Sequence, residues 1–158
     1  MGDYVKINIK RLIVSVLIPL VLGGIVGFIT SPTDAYKEMI QPNFAPPGIL
    51  FPIVWSILYI IMGITSYIVL ESNNYDKDDA ILIYIIQLVV NLLWCFLFFT
   101  FKWYLFSFIW ILFLIALVLS MIRKFYRINK VSGYLNIPYL IWLIFASVLN
   151  LSIYFLNR

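Results

Sequence analysis

The stretch Ala80–Phe101, AILIYIIQLVVNLLWCFLFFTF, contains no charged side chain. A helix rises 1.5 Å per residue, so roughly 20 such residues cross hydrocarbon about 30 Å thick. Four more uncharged runs surround it: Leu12–Thr33, Met39–Leu70, Trp103–Ile122 and Val131–Asn157. Each is long enough to span. Backbone polar groups in lipid are satisfied only in helices or closed barrels. The apolar runs are continuous and do not alternate, which selects helices over barrel strands. We therefore expect an all-α membrane protein, one integral domain over residues 1–158, with five transmembrane helices at about 10–29, 49–70, 80–100, 104–122 and 134–156.

Composition agrees with this. Hydrophobic residues make up 64% of the chain and charged residues 11%, against roughly 25% charged in soluble domains. The net charge of +4 is not a nucleic-acid patch, because of where the charges fall. Lys6, Lys10, Arg11, Lys77, Arg123, Lys124, Arg127 and Lys130 share one side of a five-span topology; Lys37, Lys102 and Arg158 lie on the other. The positive-inside rule then places the N-terminus in the cytoplasm, and we expect a multi-pass protein of the plasma membrane. The first run is longer than a signal-peptide core and no A-x-A site follows it, so no cleavable leader is expected. Cys95 is the single cysteine, which excludes a disulfide within one chain, and the chain has no histidine. Metal-ligand spacing is absent.

Between the spans, Thr30–Gly48 forms the longest loop, stiffened by Pro32, Pro42, Pro46 and Pro47, with a short helical turn around Asp34–Met39. Pro19 should kink the first helix. Gly23 and Gly27 form a G-x-x-x-G pattern, which allows close helix approach. It serves either packing within one bundle or a homodimer contact, and both readings stand on the sequence. Residues 72–79 (SNNYDKDD) read as an acidic surface loop and Arg123–Lys130 as a basic one. No internal repeat is visible, which argues against a transporter built from inverted halves.

No ionisable residue other than Cys and Tyr lies at mid-membrane depth. A proton relay would lack its usual parts. The polar side chains that remain are Gln87, Asn91 and Asn150. Gln87 and Asn91 are four apart and share a helical face with Trp94 and Phe98. They serve either interhelical hydrogen bonding or the orientation of a ligand. Tyr139, Trp142, Phe145, Ala146 and Leu149 recur at helical spacing, and so do Trp55 and Tyr59. These stripes read as bundle core, or as walls for a flat apolar ligand.

Three ordered segments carry a more specific signal: QPNFAPPGILFPIVWSILYIIMG at Gln41–Gly63, QLVVNLLWCFLFF at Gln87–Phe99 and PYLIWLIFASVLN at Pro138–Asn150. Together they resemble the TspO/MBR family of tryptophan-rich sensory proteins and translocator proteins, over nearly the whole chain. The resemblance implies a five-helix bundle whose intramembrane cavity is closed by the first loop and binds tetrapyrroles, chiefly protoporphyrin or haem, with no required cofactor. By motif it assigns ligand contacts to Phe44, Pro46 and Pro47 in the loop, to Trp55, to Asn91 and Trp94, and to Trp142, Phe145, Ala146 and Leu149. Phe44 stands where the family pattern has Trp, so the aromatic lid is kept and the indole donor is lost. Propionates of such a ligand would need donors at the membrane edge, and Asn43, Lys37 or backbone amides of the loop are the candidates.

Three functions follow as alternatives: a receptor or sensor that modulates porphyrin levels or a stress response, a light- and oxygen-dependent porphyrin-degrading enzyme with Trp55 and Trp142 in radical chemistry, or a transporter. The first is the principal expectation, with a tetrapyrrole, membrane lipid and a second copy of the chain as partners. Leu149, Tyr154 and Arg158 also match a permissive sterol-recognition pattern, whose plainer reading for Tyr154 and Arg158 is interfacial anchoring.

Overall fold

The computed structural model describes residues 7–158; the Lys6 contribution to the charge pattern lies outside them. The described chain is helical: α1 Ile9–Thr30, α2 Pro32–Lys37, α3 Leu50–Leu70, α4 Lys77–Cys95 continuing as a π-helical turn Phe96–Thr100, α5 Tyr104–Ile128, α6 Lys130–Leu135 and α7 Ile137–Leu156. Five segments are long and apolar enough to cross a membrane, with α6 and α7 forming one of them. The outward side chains, including Ile13, Leu17, Leu82, Ile109 and Ile141, are large and apolar. Such a surface suits hydrocarbon and not water.

Local chemistry sets the boundaries. Asn8 caps α1 by accepting from the Arg11 N–H at 3.2 Å. At the other end Ser31 turns left-handed, φ 43°, and Pro32 prevents the helix from continuing. The reversal after α4 is equally abrupt: Lys102 takes φ 55° while the Trp103 N–H donates to the Leu97 carbonyl at 3.0 Å.

Several boundaries differ from the sequence reading. α4 begins at Lys77, so Lys77, Asp78 and Asp79 leave the expected acidic loop, and acidic side chains suit a helix's first turn. The last span begins with α6 at Lys130, ahead of the expected 134. Arg123, Lys124 and Arg127 belong to α5, which runs to Ile128. Arg and Lys are good helix formers, and charge ends a membrane run without ending a helix. The stop comes at Asn129, whose side chain accepts from the Ser132 N–H at 3.0 Å and caps α6. In the first loop the short helix starts at Pro32, ahead of the expected Asp34, because Pro at the first helical position costs no donor.

α1 packs mainly on α3, and α5 packs on both α4 and α7. Gly63 makes the first pairing: a Cβ there would overlap the backbone of Ser15 and Val16. Gly23 serves the same α1–α3 pairing, because the space its Cβ would take holds the Tyr59 ring.

Candidate functional site

Beyond Gly23, toward the first loop, a cavity of about 700 Å³ opens between α1 and α3. Phe51, Trp55 and Tyr59 of α3 form one wall. Gly24, Gly27 and Thr30 of α1 form the facing wall, Cys95 and Phe99 close the back, and α2 lies across the top with Thr33 and Asp34. The α3 wall is rigid and aromatic. Trp55 stacks on Tyr59 with centroids 5.6 Å apart and meets Tyr139 edge-on at 6.1 Å.

The polar residues of the middle helices hold this wall from behind. The Tyr59 hydroxyl donates to Asn91 Oδ1 at 3.0 Å, Asn91 Nδ2 donates to the Tyr139 hydroxyl at 2.8 Å, and that hydroxyl donates to Gln87 Oε1 at 2.8 Å. One uncharged chain therefore ties α3, α4 and α7 together. Buried amides in lipid need such partners. A second knot centres on Asn150, which accepts from Trp94 Nε1 at 3.2 Å and from the Ser107 hydroxyl at 3.1 Å, and donates to the Tyr104 carbonyl at 2.8 Å.

Of the motif residues, Trp55 alone lines this cavity. Asn91, Trp94, Ala146 and Leu149 are buried in the core. Trp142 meets Phe51 edge-on at 5.9 Å and, with Phe145, borders a shallow groove between α3 and α7. Phe44 is 51% exposed and its ring sits edge-on to Phe145 at 6.5 Å, as a lid would. Pro47 is exposed and Pro46 half-buried. Lys37 pairs at 3.5 Å with Asp34, which lines the cavity; Asn43 is exposed.

The two glycines of the G-x-x-x-G pattern do different things. A Cβ on Gly23 would meet the Tyr59 ring, whereas the space beside Gly27 is empty; both glycines border the cavity. The sterol-like pattern also divides. Leu149 is buried at 3% exposure, while Arg158 lies over the Phe155 ring at 5.1 Å, so the three residues do not form one lipid-facing strip. Among the described residues no group of Cys, Asp and Glu converges to hold a metal.

Of the α1 wall residues, the sequence presents Gly27 only as a helix-contact glycine, and it assigns neither Gly24 nor Thr30 to the site. Thr30 is a lone polar residue at a helix end, and Gly24 and Gly27 carry no side chain that speaks for a cavity. Three glycines within five residues of one span was the available signal, and it reads equally as a contact face.

Five apolar spans, with an aromatic cavity between α1 and α3 and a folded loop across its end, define an integral multi-pass membrane bundle. Residues 15–156 match the model of the TspO/MBR family, and the chain belongs to that family. It is 35% identical to the tryptophan-rich protein TspO of Archaeoglobus fulgidus, covering 95% of this chain and 99% of that one. It is 32% identical to protein CrtK of Rhodobacter capsulatus, over 85% and 86% of the two chains. The translocator protein of Sus scrofa is 27% identical over 75% of this chain and 72% of its own.

Proposed function

We propose that this protein is a membrane receptor or sensor for tetrapyrroles, taking protoporphyrin or haem into the cavity beside Trp55 and modulating porphyrin levels or a stress response. The cavity carries the reading: about 700 Å³ bounded by Phe51, Trp55 and Tyr59 lies within the range of roughly 300–1,000 Å³ usual for small-molecule sites. A porphyrin is a rigid apolar disc, and aromatic faces pack on it without ordering a flexible partner. On this reading Asn91 is a positioning residue, acting through the Tyr59 ring that it holds. Lys37 supplies a cation for a propionate after leaving Asp34. The protein sits in the plasma membrane with a cytoplasmic N-terminus, as its Lys/Arg distribution favours, and forms a homodimer.

The test is a titration with protoporphyrin in the dark, followed by tryptophan fluorescence. Saturable quenching in the parent protein that Trp55→Ala weakens is the expected result. Linear quenching in both proteins means nonspecific partitioning and rejects the reading.

Photochemical degradation is the second reading, because an electron-rich indole, Trp55, forms part of the cavity wall. It predicts light-dependent bleaching that falls in Trp55→Phe protein below the parent rate. Bleaching at the parent rate rules the indole out.

A further inference from the structure

Two boundaries separate the cavity from its surroundings, and they are built differently. The first-loop side is fastened. Ile40 is hydrogen-bonded in both directions by Asn157, at 2.9 Å each. Glu38 pairs with Lys102 at 3.2 Å. Gln41 Nε2 donates to the Tyr36 carbonyl at 2.7 Å, and the Tyr36 ring, 1% exposed, is wedged edge-on against Phe51 at 4.9 Å.

Between α1 and α3 the polar fastenings lie at the opposite end, where the Asn8 N–H donates to the Tyr67 hydroxyl at 2.9 Å and Arg11 pairs with Glu71 at 2.9 Å; alongside the cavity no hydrogen bond or ion pair joins the two helices among the described residues. The two helices meet at Gly63 and Gly23 and carry the cavity between them from there to the loop. Its edges are exposed on both helices: Gly24 and Phe28 on α1, the latter 87% exposed, and Pro52 and Ser56 on α3. A Cβ on Gly24 or Gly27 would meet nothing within 4 Å. Gly24 and Ser56 lie roughly 9 Å inside the ends of their spans.

We infer that ligands enter the cavity sideways from the bilayer, through the cleft between α1 and α3, while the first loop stays shut. The inference rests on the cavity being the ligand site. It defines the ligand class further: a molecule already dissolved in the membrane, apolar over most of its surface, with its polar end left near Thr33 and Asp34. Passage through the loop would break the Asn157 and Glu38 contacts; passage through the cleft breaks none of them.

Cys95, the single cysteine, stands on the back wall and reports access without any porphyrin. Protein reconstituted in phosphatidylcholine vesicles is treated with N-phenylmaleimide, which partitions into lipid, and with a sulfonated maleimide, which does not. Both add to the thiolate by the same chemistry, so the ratio of their rates reports the route. The expected result is labelling by the lipid-soluble reagent at least about tenfold faster, a difference of about 1.4 kcal/mol in barrier. Gly27→Phe and, separately, Gly24→Phe place a ring in the empty cleft and should slow that labelling by a similar factor. Asn157→Ala, which frees the loop, should leave it unchanged.

Labelling that ignores both plugs, or that the sulfonated reagent performs faster once Asn157 is removed, overturns the inference in favour of the loop route. Two plug variants guard against one failing to fold, with circular dichroism as the check. Because no porphyrin is used, failure here leaves the tetrapyrrole titration standing, and failure of the titration leaves this result standing.

Discussion

Asn157, at the end of α7, holds Ile40 of the first loop by its N–H and its carbonyl together, at 2.9 Å each. A single amide thus replaces a strand-like backbone pairing across 117 positions of sequence. Removing it should loosen the loop without unfolding the bundle. Asn157→Ala is expected to cost about 1 kcal/mol locally, raising exchange of the Ile40 amide roughly fivefold. Unchanged exchange would show that the loop is held elsewhere.

Asn91 joins two phenols, and its loss strands the Tyr59 hydroxyl while leaving Tyr139 only its bond to Gln87. Asn91→Ala should destabilise the bundle by roughly 1–3 kcal/mol, because buried polar groups left unpaired cost more than a hydrogen bond gains. Thermal unfolding in detergent measures this. Trp55→Ala, by contrast, should lower ligand affinity more than the melting temperature. Equal melting temperatures for Asn91→Ala and the parent would remove Asn91 from its structural role.

The α1 and α3 glycines should respond in opposite senses. Gly63→Ala forces the Ser15–Val16 backbone away and should cost roughly 1–3 kcal/mol by overpacking. Gly27→Ala meets open space and should be neutral or stabilising, since Ala is favoured over Gly in a helix by about 1 kcal/mol. The pair of melting curves decides the matter.

Tyr36 gives the first loop an alkaline limit. Burial pushes its phenol from 10.0 up to about 12. Below pH 10 both folded and unfolded chains keep the proton. Between 10 and 12 the unfolded chain loses it while the folded chain keeps it, so stability falls as pH rises through that window. Among the described residues the hydroxyl also has no hydrogen-bond partner, so Tyr36→Phe should be neutral or stabilising at pH 7 and lose less protection of the loop above pH 10. Identical alkaline profiles for the two proteins would exclude Tyr36 as the titrating group.

The spans were legible because uncharged runs of membrane length leave the backbone no alternative. The end of α5 was not, because Arg123, Lys124 and Arg127 mark the edge of the lipid while the helix ignores it until Asn129 caps the next one. The site was legible in part. Motif spacing placed Trp55 and Asn91 on their helices, but spacing does not reveal how far each helix is rotated. Asn91 therefore turned out to face Tyr59 and Tyr139 at the back of the wall. The α1 side of the cavity is defined by missing side chains, Gly24 and Gly27, and a missing side chain becomes informative only when its neighbours are known.

The chain of Gln87, Tyr139, Asn91 and Tyr59 contains amides and phenols alone, all uncharged at neutral pH. Re-pairing these side chains between α3, α4 and α7 moves no net charge along the membrane normal. An electric field does work only on displaced charge, about 2.3 kcal/mol per elementary charge per 100 mV. Rearrangement of this core is therefore insensitive to voltage, and would proceed alike in energised and depolarised membranes.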